Sequence, residues 1–323
     1  MRVCVTGGAG FIGGRVCHQL RTRGDEVVAI VRDPDRAEAL RDIGCEIRTG
    51  DLTSPEALTG AMRASDAVIH IAGMYRVGIP TSERPAMYEA NVAATARVLQ
   101  AAIISGVPRI VHVSTVNVLG DTRGRIVDET FRRDVSRGFV SYYDETKYLA
   151  HVQARELIDA GAPILIAMPG VTYGPGDRSA VGALLKAAFE GNARFFPFGE
   201  LGISPAHVDD VAAGILAMLR QGRTGESYVL AGPNMRLAEV VTVAARVGGH
   251  RPPRVNVPTG LIRTLAPLGP LLARVTGGSP NLAEIVTASD RVTYWASSAK
   301  ASLKLGYAPR ELESGLREAF GGR

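Results

Sequence analysis

Lysine is nearly missing from this chain: four lysines stand against 33 arginines in 323 residues. Genome base composition produces such a skew, and it does not mark a nucleic-acid surface. Arg123, Arg125, Arg132, Arg133 and Arg137 cluster, but Asp121, Asp128, Glu129 and Asp134 interleave with them. Aromatics make up only 6% of the chain and the net charge is +5, so no basic stripe with stacking rings is present and nucleic acid is not an expected partner. Cysteine is also scarce. Cys4, Cys17 and Cys45 have neither metal-ligand nor disulfide spacing. A reducing cytoplasm is the expected compartment, and no metal site is expected. No apolar run reaches transmembrane length, and the first strand begins almost at Met1. The chain is therefore expected to carry no leader and to make no stable membrane insertion. It also lacks internal repeats and low-complexity linkers.

What remains is the composition of an ordinary globule, 46% hydrophobic and 21% charged. Short apolar runs at 2–6, 26–31, 46–49, 67–71, 109–113 and 164–168 read as strands. Helices are expected near 11–23, 35–43, 54–63, 85–105 and 142–160. This alternation implies an α/β fold with a doubly wound parallel sheet and helices on both faces. After Pro169 the pattern loosens into Gly-, Pro- and Phe-rich sequence. A helix is expected to open at 206–211 and a strand at 227–231, followed by two or three helices. We expect residues 1–169, joined again by 205–232, to form a nucleotide-binding domain. Residues 170–204 and 233–323 would form a smaller C-terminal substrate-binding lobe. The Leu- and Pro-rich stretch 257–275 reads as a packed lid helix, since two internal prolines and interrupting arginines weaken a membrane reading.

The first strand runs directly into Gly7, Gly10 and Gly13, spaced G-x-x-G-x-x-G, and then into a helix beginning at Phe11 and Ile12. Such glycines let the backbone approach a pyrophosphate. The helix N-terminus then offers it free N–H groups and a positive dipole end. At the end of the second strand, where an acid would hold the ribose 2′-OH of NAD, the chain has Val31 and then Arg32. Arg32, supported by Arg36, suits the 2′-phosphate of NADP. Asp33, one position late, keeps NAD open. Asp51, followed by Leu52, could accept from an adenine amino group, or could simply cap a turn. Ala72 and Gly73 would let the backbone pass close to a cofactor. Asn91, inside a helix and counted with the cofactor site, could support the sheet backbone or a water near that site, or simply lie on the surface.

Tyr143 and Lys147 stand one turn apart on an expected helix. A neighbouring ammonium favours a phenolate, so Lys147 would lower the Tyr143 pKa and make the phenol a usable acid–base group. Tyr142 and Tyr148 have no such partner. Ser114 and Thr115 follow the fifth strand at the carboxyl edge of the sheet, where ligands of open α/β sheets bind, and either hydroxyl could polarise a carbonyl. His70, His112 and His207 read as packed or capping residues.

Taken together, T-G-G-A-G-F-I-G (6–13), G-D-L (50–52), H-I-A-G (70–73), N-V-A-A-T (91–95), V-S-T (113–115), Y-D-E-T-K (143–147), P-G-V-T-Y-G-P-G-D (169–177) and H-V-D-D-V-A (207–212) resemble the extended short-chain dehydrogenase/reductase family. The resemblance implies a Rossmann domain. It assigns proton transfer to Tyr143, and to Lys147 both a lowered Tyr143 pKa and a grip on the nicotinamide ribose. It selects Thr115, five residues before Gly120, as the hydroxyl partner, and adds Pro169 and Val171 to the cofactor contacts. It also implies a homodimer through helices 85–105 and 142–160. Thr115-Val116-Asn117 lacks the acids of sugar 4,6-dehydratases, and V-R-D-P (31–34) looks like dihydroflavonol-4-reductase-like carbonyl reductases. The C-terminal lobe looks like hopanoid-associated sugar-epimerase-type members. The expected function is NADP(H)-dependent reduction of an apolar or ring-bearing ketone or aldehyde lying under Tyr75, Tyr173, Phe195, Phe196 and Phe198, of which Tyr75, Tyr173 and Phe196 are the chosen substrate contacts; simple core packing would explain these aromatics as well. The alternative is an NAD-retaining nucleotide-sugar epimerase using the same residues.

Overall fold

Seven short apolar strands pair side by side in parallel. The computed structural model describes residues 1–269, 273 and 279–322. The strands are β1 (Arg2–Thr6), β2 (Glu26–Val31), β3 (Glu46–Thr49), β4 (Ala67–His70), β5 (Ile110–Val113), β6 (Ile164–Pro169) and, after a long excursion, β11 (Ser227–Leu230). Their spatial order is β3-β2-β1-β4-β5-β6-β11. The order reverses between β1 and β4, and such a switch point opens a crevice at the carboxyl ends of the strands. β1, β4, β5, β6 and β11 are almost entirely buried, as strands covered on both faces must be.

The covering helices divide by face. α1 (Phe11–Thr22) and α8 (Val208–Gln221) bury Val16, Leu20, Ile215 and Leu219 on one side with Val5, Ile69 and Val111. On the other side, α3 (Pro55–Met62), α5 (Ala94–Ile104) and α6 (Tyr142–Asp159) close over Cys4, Val68, Ile110 and Ile164. The expected 85–105 helix is continuous but not uniform. α4 (Arg84–Tyr88) passes through one π turn, Glu89–Ala93, before α5.

The segments expected to form the second lobe build a separate hydrophobic cluster. It is formed by α7 (Ala180–Phe189), α9 (Leu237–Val247), the C-terminal helix Leu312–Phe320 and small strand pairs such as β8 (Phe195–Pro197) with β13 (Val255–Val257). α7 was not legible in the sequence. The tail carries more helices than expected, including α10 (Thr259–Leu265) and Leu282–Ser289. The lid reading of 257–275 needs correction. Leu261, Leu265 and Leu268 are 53%, 40% and 50% exposed, so this face of the helix is left about half open and is not a packed lid. Residues 270–272 and 274–275 of that stretch lie outside the described residues.

The strongest buried tie holds the start of α6. Arg133 donates from Nη1 and Nη2 to the two oxygens of Asp144, at 2.9 and 3.1 Å, and both side chains are buried. Arg133 also stacks on Phe139 and Tyr148. Removing one partner of a buried pair strands the other. Arg133→Met should therefore lower the unfolding free energy by roughly 3–5 kcal/mol in urea titrations. An unchanged midpoint would show that the pair is not structural.

Candidate active site

The crevice at the β1–β4 switch is floored by backbone. Gly7 has φ +76°, and a Cβ there would lie 2.6 Å from the Ala72 nitrogen. A Cβ on Gly13 would lie 2.0 Å from the Gly7 carbonyl oxygen. The loop is thus folded too tightly on itself and on the exit of β4 for any side chain. α1 begins at Gly10 with no side-chain cap and no acid in its first turn, so the amides around Phe11 and Ile12 face the crevice end uncapped. An uncapped, acid-free helix start over a side-chain-free loop fits a dinucleotide pyrophosphate.

Gly73 follows Ala72 past Asn91, whose Oδ1 a Cβ on Gly73 would approach to 3.1 Å. Asn91 is buried. It accepts from the Met74 amide at 2.6 Å and donates to the Met74 carbonyl and the Thr146 hydroxyl, both at 3.0 Å. The surface reading of Asn91 therefore falls. It sits in the π turn and ties the loop after β4 to α6, a use typical of such irregular turns.

Tyr143 and Lys147 project from the first turns of α6 into this region. Ser141 caps the helix by accepting from the Asp144 amide at 3.1 Å. Glu284, from helix Leu282–Ser289, accepts from the Tyr142 amide at 2.9 Å. The Tyr143 phenol is buried, with Tyr75 packed edge-on at 4.9 Å between ring centres. The Thr115 hydroxyl, just after β5, lies close enough to the phenol to favour its charged form. Thr115 Oγ1 in turn lies 3.1 Å from Asn117 Oδ1, which holds its rotamer. Ser114 points elsewhere, to His151 Nδ1 at 3.1 Å.

The electrostatics differ from the expectation in one respect. Burial holds the Tyr143 phenol above its usual value, Tyr75 adds to this, and the Thr115 hydroxyl opposes it. Lys147 does not pull the phenol down. Its ammonium is buried, donates to the Val113 carbonyl at 3.1 Å, and is itself brought down to about 8 by burial. Desolvation outweighs the helix-neighbour attraction.

Other expected residues have mixed placements. Asp51 is exposed and accepts from the Thr53 amide at 2.8 Å, so the structure shows its turn-capping role. The Leu52 carbonyl accepts from Arg97 Nε at 2.7 Å. Val171 and Pro169 lie at the carboxyl end of β6 and just beyond it. Arg32 is exposed beside β2, and Arg36 pairs at 3.4 Å with Asp33. Tyr173 and Phe196 are corrected. Both are buried in the second cluster, with the Tyr173 hydroxyl against Gly315, so they are core residues and not lining. Phe196 is turned inward by strand alternation, and its neighbour Phe195 is outward.

His70 bridges Thr6 and Thr95 at 2.7 and 2.9 Å and stacks on His112. His207 caps α8, accepting from the Asp209 amide at 3.3 Å. His207, Asp209 and Glu318 converge, but Arg310 pairs with Glu318 and Arg15 with Asp209, so the acids are already neutralised without a metal. Sequence reading missed Asn117, Arg133 and Glu284. Only Asn117, two residues beyond Thr115, carried a local signal.

Residues 3–231 match the family described as NAD dependent epimerase/dehydratase. The chain belongs to that family. It is accordingly an NAD(P)-dependent enzyme of the extended short-chain dehydrogenase/reductase type, with a Rossmann sheet. It is 28% identical to a putative dihydroflavonol 4-reductase of Synechocystis sp., covering 98% of this chain and 92% of that one. It is 31% identical to 4-hydroxy-2-methyl-3-oxo-4-farnesyl-3,4-dihydroquinoline-1-oxide ketoreductase of Stigmatella aurantiaca, covering 85% and 81%. Among solved structures it resembles gox2253, with a TM-score of 0.83, 30% identity, and coverage of 99% and 96%.

The buried Lys147 gives a test independent of substrate. Below pH 8 it is charged in both folded and unfolded chains, so the burial penalty is fully present. The penalty is relieved as pH rises from about 8 towards the unfolded value of 10.5. Lys147→Met should therefore stabilise the fold near pH 7 by up to roughly 3 kcal/mol, with the gain shrinking by pH 10, while turnover is lost. A destabilised variant at pH 7 would mean that the ammonium is a net structural asset.

Proposed function

We propose that the protein is an NADP(H)-dependent carbonyl reductase or alcohol dehydrogenase acting on an apolar or ring-bearing ketone. The observation that carries this reading is the placement of Tyr143 and Lys147 one turn apart at the start of α6, both buried, with Thr115 buried at the carboxyl edge of the sheet. A nicotinamide dinucleotide held over the glycine loop would supply or accept the hydride. The chain's own groups manage the oxygen and its proton. The Tyr143 phenol, kept neutral by burial, donates its proton to the developing alkoxide. Thr115 turns its hydroxyl from Asn117 towards the same oxygen. Lys147, brought down to about 8 by burial, would reload the phenol near neutral pH and would hold the ribose of a nicotinamide dinucleotide. Tyr75 covers the phenol on the solvent side and takes the substrate's apolar face.

The residues after β2 support the NADP reading. Asp33, the acid available for a ribose 2′-OH, accepts instead from the Asp35 amide at 3.0 Å and pairs with Arg36. Arg32 has no hydrogen bond or ion pair among the described residues, which leaves its guanidinium available for a 2′-phosphate. Residues 1–169 with 205–232 would hold the dinucleotide, and 170–204 with 233–323 would close over the substrate. The pairing of Tyr142 with Glu284 supports that closure. Reduction is also what the names of the Synechocystis and Stigmatella relatives describe. A homodimer through helices 85–105 and 142–160 fits the exposure of Tyr88 and Ile104 on the first of them. Three free, buried cysteines fit a cytoplasmic setting.

Two measurements test the reading. Arg32→Ala should weaken NADPH binding by about 1.5–3 kcal/mol, tenfold or more, and leave NADH binding unchanged. Equal loss for both would remove the NADP preference. On a panel of apolar ketones, Tyr143→Phe should lower kcat by roughly 10²–10⁴-fold and Thr115→Val by roughly 10²-fold, with NADPH binding intact. Full turnover in the Phe variant would exclude the assigned proton donor.

A further inference from the structure

α10 and the 3₁₀ turn after it, Ala266–Leu268, place Leu261, Leu265 and Leu268 at i, i+4 and i+7 on one stripe. All three are 40% or more exposed, while Ile262 and Ala266 on the adjoining side are partly buried, and α10 packs against helix Leu282–Ser289. A few residues earlier, the β8–β13 pair sets Phe195 opposite Val255, and these are 62% and 58% exposed. Five large apolar side chains thus stand out from one part of the second lobe. Isolated exposed leucines need no explanation, but a periodic stripe beside an exposed aromatic pair does.

The sequence around it is predominantly basic, while Glu200 and Asp290 border the start of α10. From Val240 to Ala283 the sequence has no aspartate or glutamate and five arginines. Arg246, Arg251, Arg254 and Arg263 of that stretch are exposed, as is Arg194 next to Phe195. Arg251 and Arg254, which flank the Pro252-Pro253 turn leading into β13, have no acidic partner among the described residues. Arg263 has only Asp290, at 3.3 Å. A face that paired two copies of the chain would set these arginines against one another. A face that meets an anionic surface has each of them matched.

We propose that this crest docks the protein on an anionic lipid bilayer. The leucine stripe, Phe195 and Val255 enter the headgroup boundary, and Arg194, Arg251 and Arg254 lie on the lipid phosphates. The contact is peripheral, since no described helix is long and apolar enough to span a membrane. Apolar insertion and basic attraction are each weak alone, and together they give stable interfacial binding. The docking rests on this surface alone and does not require the reductase reading.

The test is co-sedimentation of the full-length protein with vesicles of phosphatidylcholine, with and without phosphatidylglycerol. We expect binding at least about tenfold tighter to the anionic vesicles, weakening as salt is raised. Leu261→Ser combined with Leu265→Ser should lower that binding about tenfold, and so should Arg251→Glu combined with Arg254→Glu. Because these side chains are exposed, thermal melts of both variants should match the parent. If a variant is unfolded, the comparison of lipids with the parent protein still decides. Equal or absent binding to both vesicles would overturn the proposal. So would undiminished binding by the leucine variant, or a parent dimer that this variant converts to monomer, which would make the crest a contact between copies.

Discussion

The position of the first turn of α6 is the constraint on which the rest of the site depends, and one buried ion pair fixes it. Asp144 lies between Tyr143 and Lys147 in sequence but points the other way, into Arg133. Arg133 in turn is wedged between the rings of Phe139 and Tyr148 and closes against Gly120, where a Cβ would lie 3.1 Å from its guanidinium carbon. The strap from Gly120 to Ser141 is thereby bound to the helix it precedes. Asn91 holds the next turn through Thr146, and Glu284 holds the helix start from the second lobe. Three separate parts of the chain thus converge on six residues of helix, and Tyr143 and Lys147 follow from where those residues sit.

Burial then sets the chemistry. The same exclusion of water raises the phenol of Tyr143 and lowers the ammonium of Lys147, moving an acid and a base towards their neutral forms. A neutral phenol is the form that can give a proton to an alkoxide. An ammonium brought to about 8 is one that can exchange its proton near physiological pH. Stability is given up for this, since a buried lysine held by a single backbone carbonyl is a poor structural element.

Strand positions, the glycine loop and the Tyr–Lys helix could be read from sequence because each is a local pattern: apolar runs of four to six residues, glycines at fixed spacing, and polar residues one turn apart. The pieces that failed depend on distant contacts. Arg133 looks like one of several surface arginines among acids, and only the fold shows that it alone is buried against Asp144. Tyr173 and Phe196 carry aromatic rings in a loop-like stretch and so resembled pocket lining. The small β pairs and the C-terminal helix turn them into core. The leucines of α10 carried the opposite error, since an apolar stripe on a short helix is ordinarily buried and this one is not. The lysine–phenol attraction was misjudged for a different reason: helical spacing gives proximity but not the dielectric in which it acts.

The account stands on a cofactor that binds, reacts and leaves. The most direct measurement is acid release of nucleotide from the freshly purified protein, identified by mass spectrometry, followed by titration of the emptied protein with NADPH and NADH. The account predicts little co-purifying nucleotide and NADPH binding at least about tenfold tighter than NADH. Near-stoichiometric bound NAD would contradict it, because a retained oxidised cofactor belongs to an enzyme that returns its hydride to the same substrate.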